Sequence, residues 1–567
     1  MFLKTTVSQG HKYLQIIKSY RKEGKVRHKV IANLGRADRL AENGLENIIV
    51  SLQKYVISKE KPAVNKSLRD ISKMKEKARV NYGYLAYKRL WNKFSVEELL
   101  KSLLKNRKVK FPFAEIIFSL VINRLLMPSS KHFHYYHRDR FLEFDEGLSL
   151  HQIYRALDIL SKNKEAIEKE LFERNRNLFN MEVDIVFYDV TTYHFESQKA
   201  DALRDFGFSK ANKVNEVQVV MGLLINREGR PIGYELFPGN TFEGKTMLNI
   251  LKKLKKLFNL KQVIIVADKG LNSKINLKEI KDRGFDYIVS AKIKNMSNKI
   301  QKKILTEEGY TEKSYKEDDD DEIYRNKTID YENKVVYVDE ETQKKKTITL
   351  EEKMVCVYSS KRAKKDRRDR ERAIEKANKV IEENNRNLLT QKKGYKKYIK
   401  TGEEKPDSKE LNLSIDEERI ENESRFDGYS AIEYSQKDLS PDEVIEQYHN
   451  LYRIEESFRI LKSTMRARPI YLRTSEHIAG HFIICFFAFL LERELEIRMR
   501  KRKIGFSPER IKEALNSMEF SHIEIDKESL YLKGKHVELA SKIFSTLRIN
   551  QPENLLTENH AFEYMKL

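Results

Sequence analysis

The chain has 567 residues, too many for one ordinary core, and this length suggests three or four folding units. Lys and Arg total 109 against 86 Asp and Glu, and the resulting formal charge of +23 favours a polyanionic partner. The only two cysteines, Cys356 and Cys485, exclude a disulfide framework and a cysteine-based zinc motif and suit a reducing compartment, so the cytoplasm is the expected location.

The first residues alternate apolar and polar, with breaks at Ser8 to Gly10 and at Lys22-Glu23-Gly24-Lys25. This pattern predicts a small basic β meander over residues 1–40, and the alternation is unlike the basic-then-apolar layout of a signal peptide. Residues 41–81 read as a helix through Leu45 to Val56 followed by a charged linker or solvated helix. From 82 to 180 apolar residues recur at helical spacing, for example Phe113, Ile116, Ile117 and Leu120, so a helical domain is expected, either gripping DNA or serving as a packing layer for the next domain.

At Val183 short β-branched runs begin: DIVFYDV, VQVVMGLLIN, RPIGYELF, QVIIVAD and FDYIVSA. Helical stretches near Gly244 and at KINLKEIKDRG separate the later ones, so residues 181–296 form the first part of a mixed α/β sheet. Residues 297–425 are strongly charged and read as an insertion. They hold an acidic run from Glu317 to Glu322, strand-like NKVVYVD and KMVCVYSS, a basic run SKRAKKDRRDRER and a helical pattern from Asp366 to Leu388. Both charge runs read first as solvated faces, with DNA contact by the basic helix as the sharper alternative.

The sheet pattern resumes over 426–500. Ser440-Pro441-Asp442-Glu443 supplies an N-cap, a first-turn proline and a capping-box glutamate. Ile478 to Leu491 is apolar but too short for the ~20 residues that cross a bilayer, so a buried helix is expected and no membrane partner. Residues 501–567 read as a mixed tail.

Asp189 and Asp268 each stand where a buried strand meets polar residues. Tyr448, Glu455 and Lys462 repeat every seven residues, which in one regular helix would put them on a single face beside the apolar stripe Ile454, Phe458 and Leu461. Two strand-end aspartates and a helix glutamate are an oxygen donor set for Mg²⁺ or Mn²⁺. Two such ions ~4 Å apart activate an attacking oxygen and stabilise a leaving one at a phosphodiester, so the three carboxylates are expected to converge to a few ångströms. No GxxxxGK[ST] loop is present, which argues against ATP hydrolysis. His132, His134 and His137 follow no standard zinc spacing, and with Tyr135 and Tyr136 they fit a DNA-facing loop better.

The strings YDVTTYHFES, GFSKANKVNEVQVVMGLLINREGRPIGYELFPGNTFEGKT, VADKG and YHNLYRIEESFRILKSTMRARPIYLRTSEHIAGHFIICFFAFLLER together resemble bacterial insertion-sequence transposases of the Asp/Asp/Glu type, in the group with a Tyr/Arg/Glu/Lys signature. The resemblance implies an α/β multidomain chain whose RNase H-like mixed-sheet core is interrupted by an insertion and preceded by a meander and a helical domain. It implies catalytic and metal-binding roles for Asp189, Asp268 and Glu455, with Glu456 as the rival to Glu455. It also implies DNA contacts from Tyr448 and Lys462. The signature arginine falls on Leu451, so Arg459 or Arg453 is expected to take its place. The implied activity is cleavage and joining of DNA at terminal inverted repeats and at a target, by a homo-oligomer. A nuclease of the same core, or a DNA-binding descendant that no longer cleaves, are the alternatives.

Overall fold

A computed structural model describes residues 2–8, 10–22, 25–41, 75–105, 108–141, 147–179, 183–207, 215–317, 320–339, 342–383, 394–402, 413–468, 470–525 and 528–566. The helix expected through Leu45 to Val56 lies outside these residues. The chain divides into two units, Met1–Met74 and Lys75–Leu567. In the first, β1 (Phe2–Ser8), β2 (His11–Lys22) and β3 (Lys25–Arg36) form an antiparallel sheet in the order β1-β2-β3, followed by α1 (Ala37–Ala41).

The second unit opens with β4 (Lys75–Asn81) and six helices: α2 (Leu85–Lys93), α3 (Val96–Ser102), α4 (Phe113–Leu126), α5 (Lys131–Tyr136), α6 (Leu150–Lys162) and α7 (Lys164–Phe179). Residues 75–81, expected as linker or helix, are instead a strand. KEKARVN alternates too weakly to announce one, and its partner strand lies at the far end of the chain.

The central sheet contains β5 (Ile185–His194), β6 (Gln218–Asn226) and β7 (Pro231–Pro238), then β8 (Ile264–Ala267) and β9 (Asp286–Ser290) alternating with α8 (Met247–Lys256) and α9 (Lys274–Asp282). After α10 (Asn298–Leu305) come β10 (Thr311–Glu317), β11 (Asp320–Val338), β12 (Lys345–Ser359), α11 (Ser360–Glu383), the small pair β13 (Ile399–Thr401) and β14 (Leu413–Ile415), α12 (Glu417–Ser424) and β15 (Tyr429–Tyr434). The nine-stranded order is β10-β11-β12-β15-β9-β8-β5-β6-β7. β5, β8 and β9 are mutually parallel and every other pairing is antiparallel. The run from β7 through β9 is the mixed sheet of an RNase H-like core, and β10 to β12 extend that sheet through β15.

β6 is buried along its whole length, which explains its unbroken apolar sequence. Its odd-numbered residues Val219, Met221, Leu223 and Ile225 join one core; Val220 and Leu224 join another, under α8 and α9. The first core is covered by α13 (Pro441–His449), α14 (Tyr452–Arg459) and α15 (Ser475–Lys501). Phe482 meets Tyr193 at 5.1 Å and Phe486 meets Tyr234 at 5.3 Å between ring centroids, while Phe487 meets Trp91 of α2 at 5.6 Å. Among the described residues no helix is long and apolar enough to cross a membrane. The tail folds as α16 (Pro508–Asn516), β16 (Glu519–Ile525), β17 (Glu528–Lys533), α17 (Glu538–Leu547), β18 (Leu555–Thr557) and α18 (Glu558–Met565), with sheet order β18-β17-β16-β4.

Gly480 lets α15 touch α6, since an added Cβ would stand 2.4 Å from the Leu157 carbonyl oxygen. Gly480→Ala is therefore expected to cost about 1–3 kcal/mol and lower the melting temperature measured by calorimetry. A second prediction concerns two buried carboxyls. Glu352 of β12 accepts from the Tyr287 hydroxyl at 2.5 Å, and Glu433 of β15 accepts from Asn272 at 3.3 Å. Burial raises Glu352 to about 7; burial and then the neighbouring Glu352 raise Glu433 to about 8. Stability from these neutral forms is complete below the ordinary glutamate range and is lost as pH rises through 7 to 8. Glu433→Gln should flatten that loss, by on the order of a few kcal/mol between pH 5 and 9 in denaturant titrations.

Candidate active site

The alternation of β5 sorts its residues between the two cores. Ile185, Phe187 and Tyr193 belong to the core under α13 to α15, and Val186, Tyr188 and Val190 to the opposite one. Asp189 and Thr191 share the parity of the first set, so they belong to the face that these helices cover. On β8, Val266 lies in the same core and Asp268 continues its parity one residue past the strand. The parallel register pairs Tyr188 with Ala267, so Asp189 and Asp268 are the next residues on adjacent strands, whose backbones run about 4.8 Å apart. Asp189 is half-buried and Asp268 exposed.

α13 begins as its sequence predicts. Ser440 accepts from the Glu443 amide and Glu443 accepts from the Ser440 amide, a complete capping box with Pro441 in the first turn. Val444 and Ile445 are buried and hold the helix on the sheet, and the Tyr448 hydroxyl donates to Asp268 Oδ1 at 3.4 Å. Burial, assisted by the Asp268 charge, raises the Tyr448 phenol and keeps it a donor.

The expected single regular helix is broken twice. Bonds from the Leu451, Arg453 and Ile454 amides to carbonyls three residues earlier tighten the chain between α13 and α14. A π turn at Ile460–Thr464 then widens it. Tyr448, Glu455 and Lys462 therefore do not line up through an unbroken seven-residue repeat. Lys462 nevertheless reaches β5: its Nζ hydrogen-bonds Thr191 Oγ1 and lies 5.4 Å from the Tyr193 ring centroid.

Glu455 is exposed on α14. Its neighbour Glu456 is engaged elsewhere, pairing with Arg493 at 2.9 Å, Arg500 at 3.7 Å and Arg459 at 4.0 Å. Arg493 is 1% exposed and also donates to Ser457 Oγ at 3.0 Å. Leu451, at the signature arginine position, is buried; Arg453 donates to the Arg227 carbonyl, and Arg459 keeps 74% of its side chain exposed. Among the described residues no three His, Cys, Asp or Glu side chains are gathered as a metal-binding group. The sheet brings the two aspartates side by side, and Glu455 is carried on α14, whose Ile454 and Phe458 pack in the core on the same face.

The same holds for the histidines. His134 is buried against Ser119 Oγ at 2.6 Å, His137 stacks on Phe133 and His132 packs on Tyr136, so the three have separate surroundings. A basic surface that the sequence suggested only as an alternative stands beside the site. Lys361, Arg362, Lys365, Arg368 and Arg372 of α11 line a cavity of about 680 Å³ together with His449, the residue after Tyr448. Arg362 also lines a second cavity with Lys269 and Gly270, which follow Asp268, and with the exposed Phe242. The run SKRAKKDRRDRER carries the signal, since Lys361, Lys365, Arg368 and Arg372 recur at helical spacing on one face. Thr191 had no sequence signal beyond its parity with Asp189.

The profile of the IS1634 family transposase N-terminal domain matches residues 3–61, and that of the transposase DDE domain matches residues 182–491. No curated protein matches the chain. Among solved structures, a piggyBac transposase synaptic complex with hairpin DNA is 10% identical, over 77% of this chain and 80% of that one, at a TM-score of 0.33. A Mos1 transposase paired-end complex with the left transposon end is 14% identical, over 34% of this chain and 57% of that one, at a TM-score of 0.14. With the DDE domain profile spanning more than half its length and the two aspartates side by side on the core sheet, the chain belongs to the DDE transposases of bacterial insertion sequences.

Proposed function

We propose that the chain cuts and rejoins phosphodiesters at the ends of an insertion sequence, with Asp189, Asp268 and Glu455 as its catalytic acids and metal ligands. The observation that carries this reading is the register that makes Asp189 and Asp268 neighbours on the face covered by α14. Engagement of Glu456 by Arg493 supports Glu455 as the third ligand. The three side chains offer oxygen donors alone, the set preferred by Mg²⁺ or Mn²⁺. When bound, such ions supply an activated attacking oxygen and charge stabilisation at the phosphodiester. The residues of the chain then position the DNA. Tyr448 orients Asp268 through its hydroxyl and shields it on one side. Lys462, held at Thr191 two residues past Asp189, and the exposed Arg459 present positive charge to the phosphates beside the cut. The basic face of α11 extends that track past His449.

We place the enzyme in the cytoplasm, in keeping with two buried, unpaired cysteines, and acting on terminal repeats and target DNA as a homo-oligomer, because two ends of one element must be cut and joined together. The test is cleavage of DNA carrying the element ends by purified protein with Mg²⁺ or Mn²⁺. Asp189→Asn, Asp268→Asn and Glu455→Gln should each lower the rate by roughly 10³-fold or more, matching several kcal/mol of charge stabilisation, while keeping their circular dichroism and DNA affinity. Cleavage that persists in Glu455→Gln but disappears in Glu456→Gln would move the third ligand. Lys462→Met should weaken binding of end DNA and reduce the slope of log affinity against log salt by about one, measured by fluorescence anisotropy.

A further inference from the structure

Away from the carboxylates, two buried cations stand together in the helical region without an acid among the described residues to meet them. Arg124 of α4 and Lys131 at the start of α5 are each 4% exposed. The charges acting on Lys131 are Arg124 and the Cys485 thiol, and Arg124 in turn senses Cys485; no carboxylate is among them. An ammonium buried in this way is costly unless an acceptor reaches it.

The hydrogen bonds show what is already used. Arg124 donates to the carbonyls of Met465 at 3.2 Å, Arg466 at 2.8 Å and Ser129 at 3.0 Å, and its Nε finds no acceptor. His481 Nε2 lies 3.1 Å from the Ala467 carbonyl, which makes that nitrogen the donor and leaves Nδ1 as an acceptor for Lys131 Nζ at 3.4 Å. This long contact occupies one of three ammonium protons. Arg124, Lys131 and His481 line a cavity of about 430 Å³ together with Ser129, His132 and Tyr471, and Tyr471 is 64% exposed.

We propose that this cavity is an oxyanion site in which Lys131 and Arg124 hold one phosphate group, either a DNA backbone phosphodiester or free inorganic phosphate. An anion there supplies the missing countercharge. It also seats against the loop that leaves the π turn carrying Lys462, because Arg124 and His481 hold the carbonyls of Met465, Arg466 and Ala467. Occupancy is thereby tied to the segment next to the catalytic helix.

The groups around Lys131 fix the pH behaviour. Arg124 faces it from α4, His134 from its own segment, His481 and Cys485 from α15, and His132, Tyr154 and Tyr471 around the cavity. Burial lowers His134 to about 3 and His481 well below its ordinary value, and raises the Cys485 thiol, so these three stay neutral near pH 7. Burial and Arg124 bring Lys131 down to about 7. Anion binding should therefore weaken as pH rises past 7.

Sulfate is the probe, because its charge is constant over this range. Added to the full chain in place of chloride at equal ionic strength, it should raise the melting temperature by on the order of a few degrees at pH 6.5 and by less at pH 8.5. The shift should vanish in Lys131→Met, which should melt in chloride no lower than the parent, since a buried unpaired charge has gone. DNA carrying an element end then identifies the source. A backbone phosphate predicts about tenfold weaker binding by Lys131→Met, with a salt slope smaller by about one. Free phosphate predicts equal DNA binding by the two proteins, with only the sulfate and inorganic phosphate responses lost. A sulfate response that survives in Lys131→Met, or a parent protein that does not distinguish sulfate from chloride and binds DNA like the variant, overturns the site. The sulfate readout requires no cleavage, so its failure is separable from failure of the transposase reading.

Discussion

Helix α15 has no solvent face between Ile478 and Ile497 apart from Ala479, and the second unit is built around it. Its apolar body joins Trp91 of the helical region to Tyr193 and Tyr234 of the sheet, and each fully buried Phe, Leu or Ile contributes roughly 1.5–3 kcal/mol. Its later turns bury Glu492, Arg493, Glu494 and Glu496; the last three are ion-paired, and burial followed by the Glu496 charge raises Glu492 to about 8 and keeps it neutral. Arg493 pairs with Glu496 at 2.7 Å and Glu456 at 2.9 Å, Arg230 with Glu494 at 3.0 Å, and Glu492 accepts from Tyr87 at 2.5 Å. Such pairs add little net stability compared with apolar residues of the same volume, but losing one partner is expensive. Their effect here is positional. With Glu456 and Ser457 fixed on Arg493, Glu455 is turned about 100° away along α14 and emerges from the core.

The positive charge of the chain is organised around the same face. α11 carries mixed charges that on sequence alone read as a solvated helix, yet one side of it is anchored and the other lines a cavity with its cations and Asp369. Arg370 makes a bidentate bond to Asp427, one arm at 2.7 Å, and Asp366 accepts from the Gly428 amide at 3.1 Å, which ties the helix to the start of β15. Lys361, Lys365, Arg368 and Arg372 are then left facing the cavity beside His449. Because β12 pairs with β15 and β15 with β9, the helix is anchored to the sheet that carries Asp268. The insertion therefore presents its cations from a rigid support.

Much of this was legible in the residues, and the exceptions share a cause. The runs around Asp189 and Asp268 announce buried strands because both sheet faces are covered, and Ser440 to Glu443 announces a helix start through local bonds alone. Neither the break at Asn450 and Leu451 nor the π turn at Ile460–Thr464 has a Gly or Pro to mark it. β4 was hidden because its pairing with β16 joins residues separated by most of the chain, where local propensity says little, whereas β16, β17 and β18 pair with near neighbours in sequence. A seven-residue step to Lys462 separates Glu455 from Glu456 on paper. The fold does not keep that step and distinguishes them by partner instead, through Arg493.

These constraints act unequally on the three acids. Asp189 is held within the ladder of β5 and β6 and Asp268 directly follows the last rung of β8, so a slip of one residue on either strand would turn its aspartate to the opposite core. Glu455 has no such ladder. Its place follows from side-chain clamps on Glu456 and Ser457 and from two irregular turns that bracket α14, all of which can shift by fractions of a residue. The pair of aspartates is thus the more firmly held part of the proposed site and the glutamate the less firmly held part. The segment that follows the second irregular turn is the one held by Arg124 and His481. Along the chain that segment directly follows the turn carrying Lys462, and Glu455 lies one helix earlier.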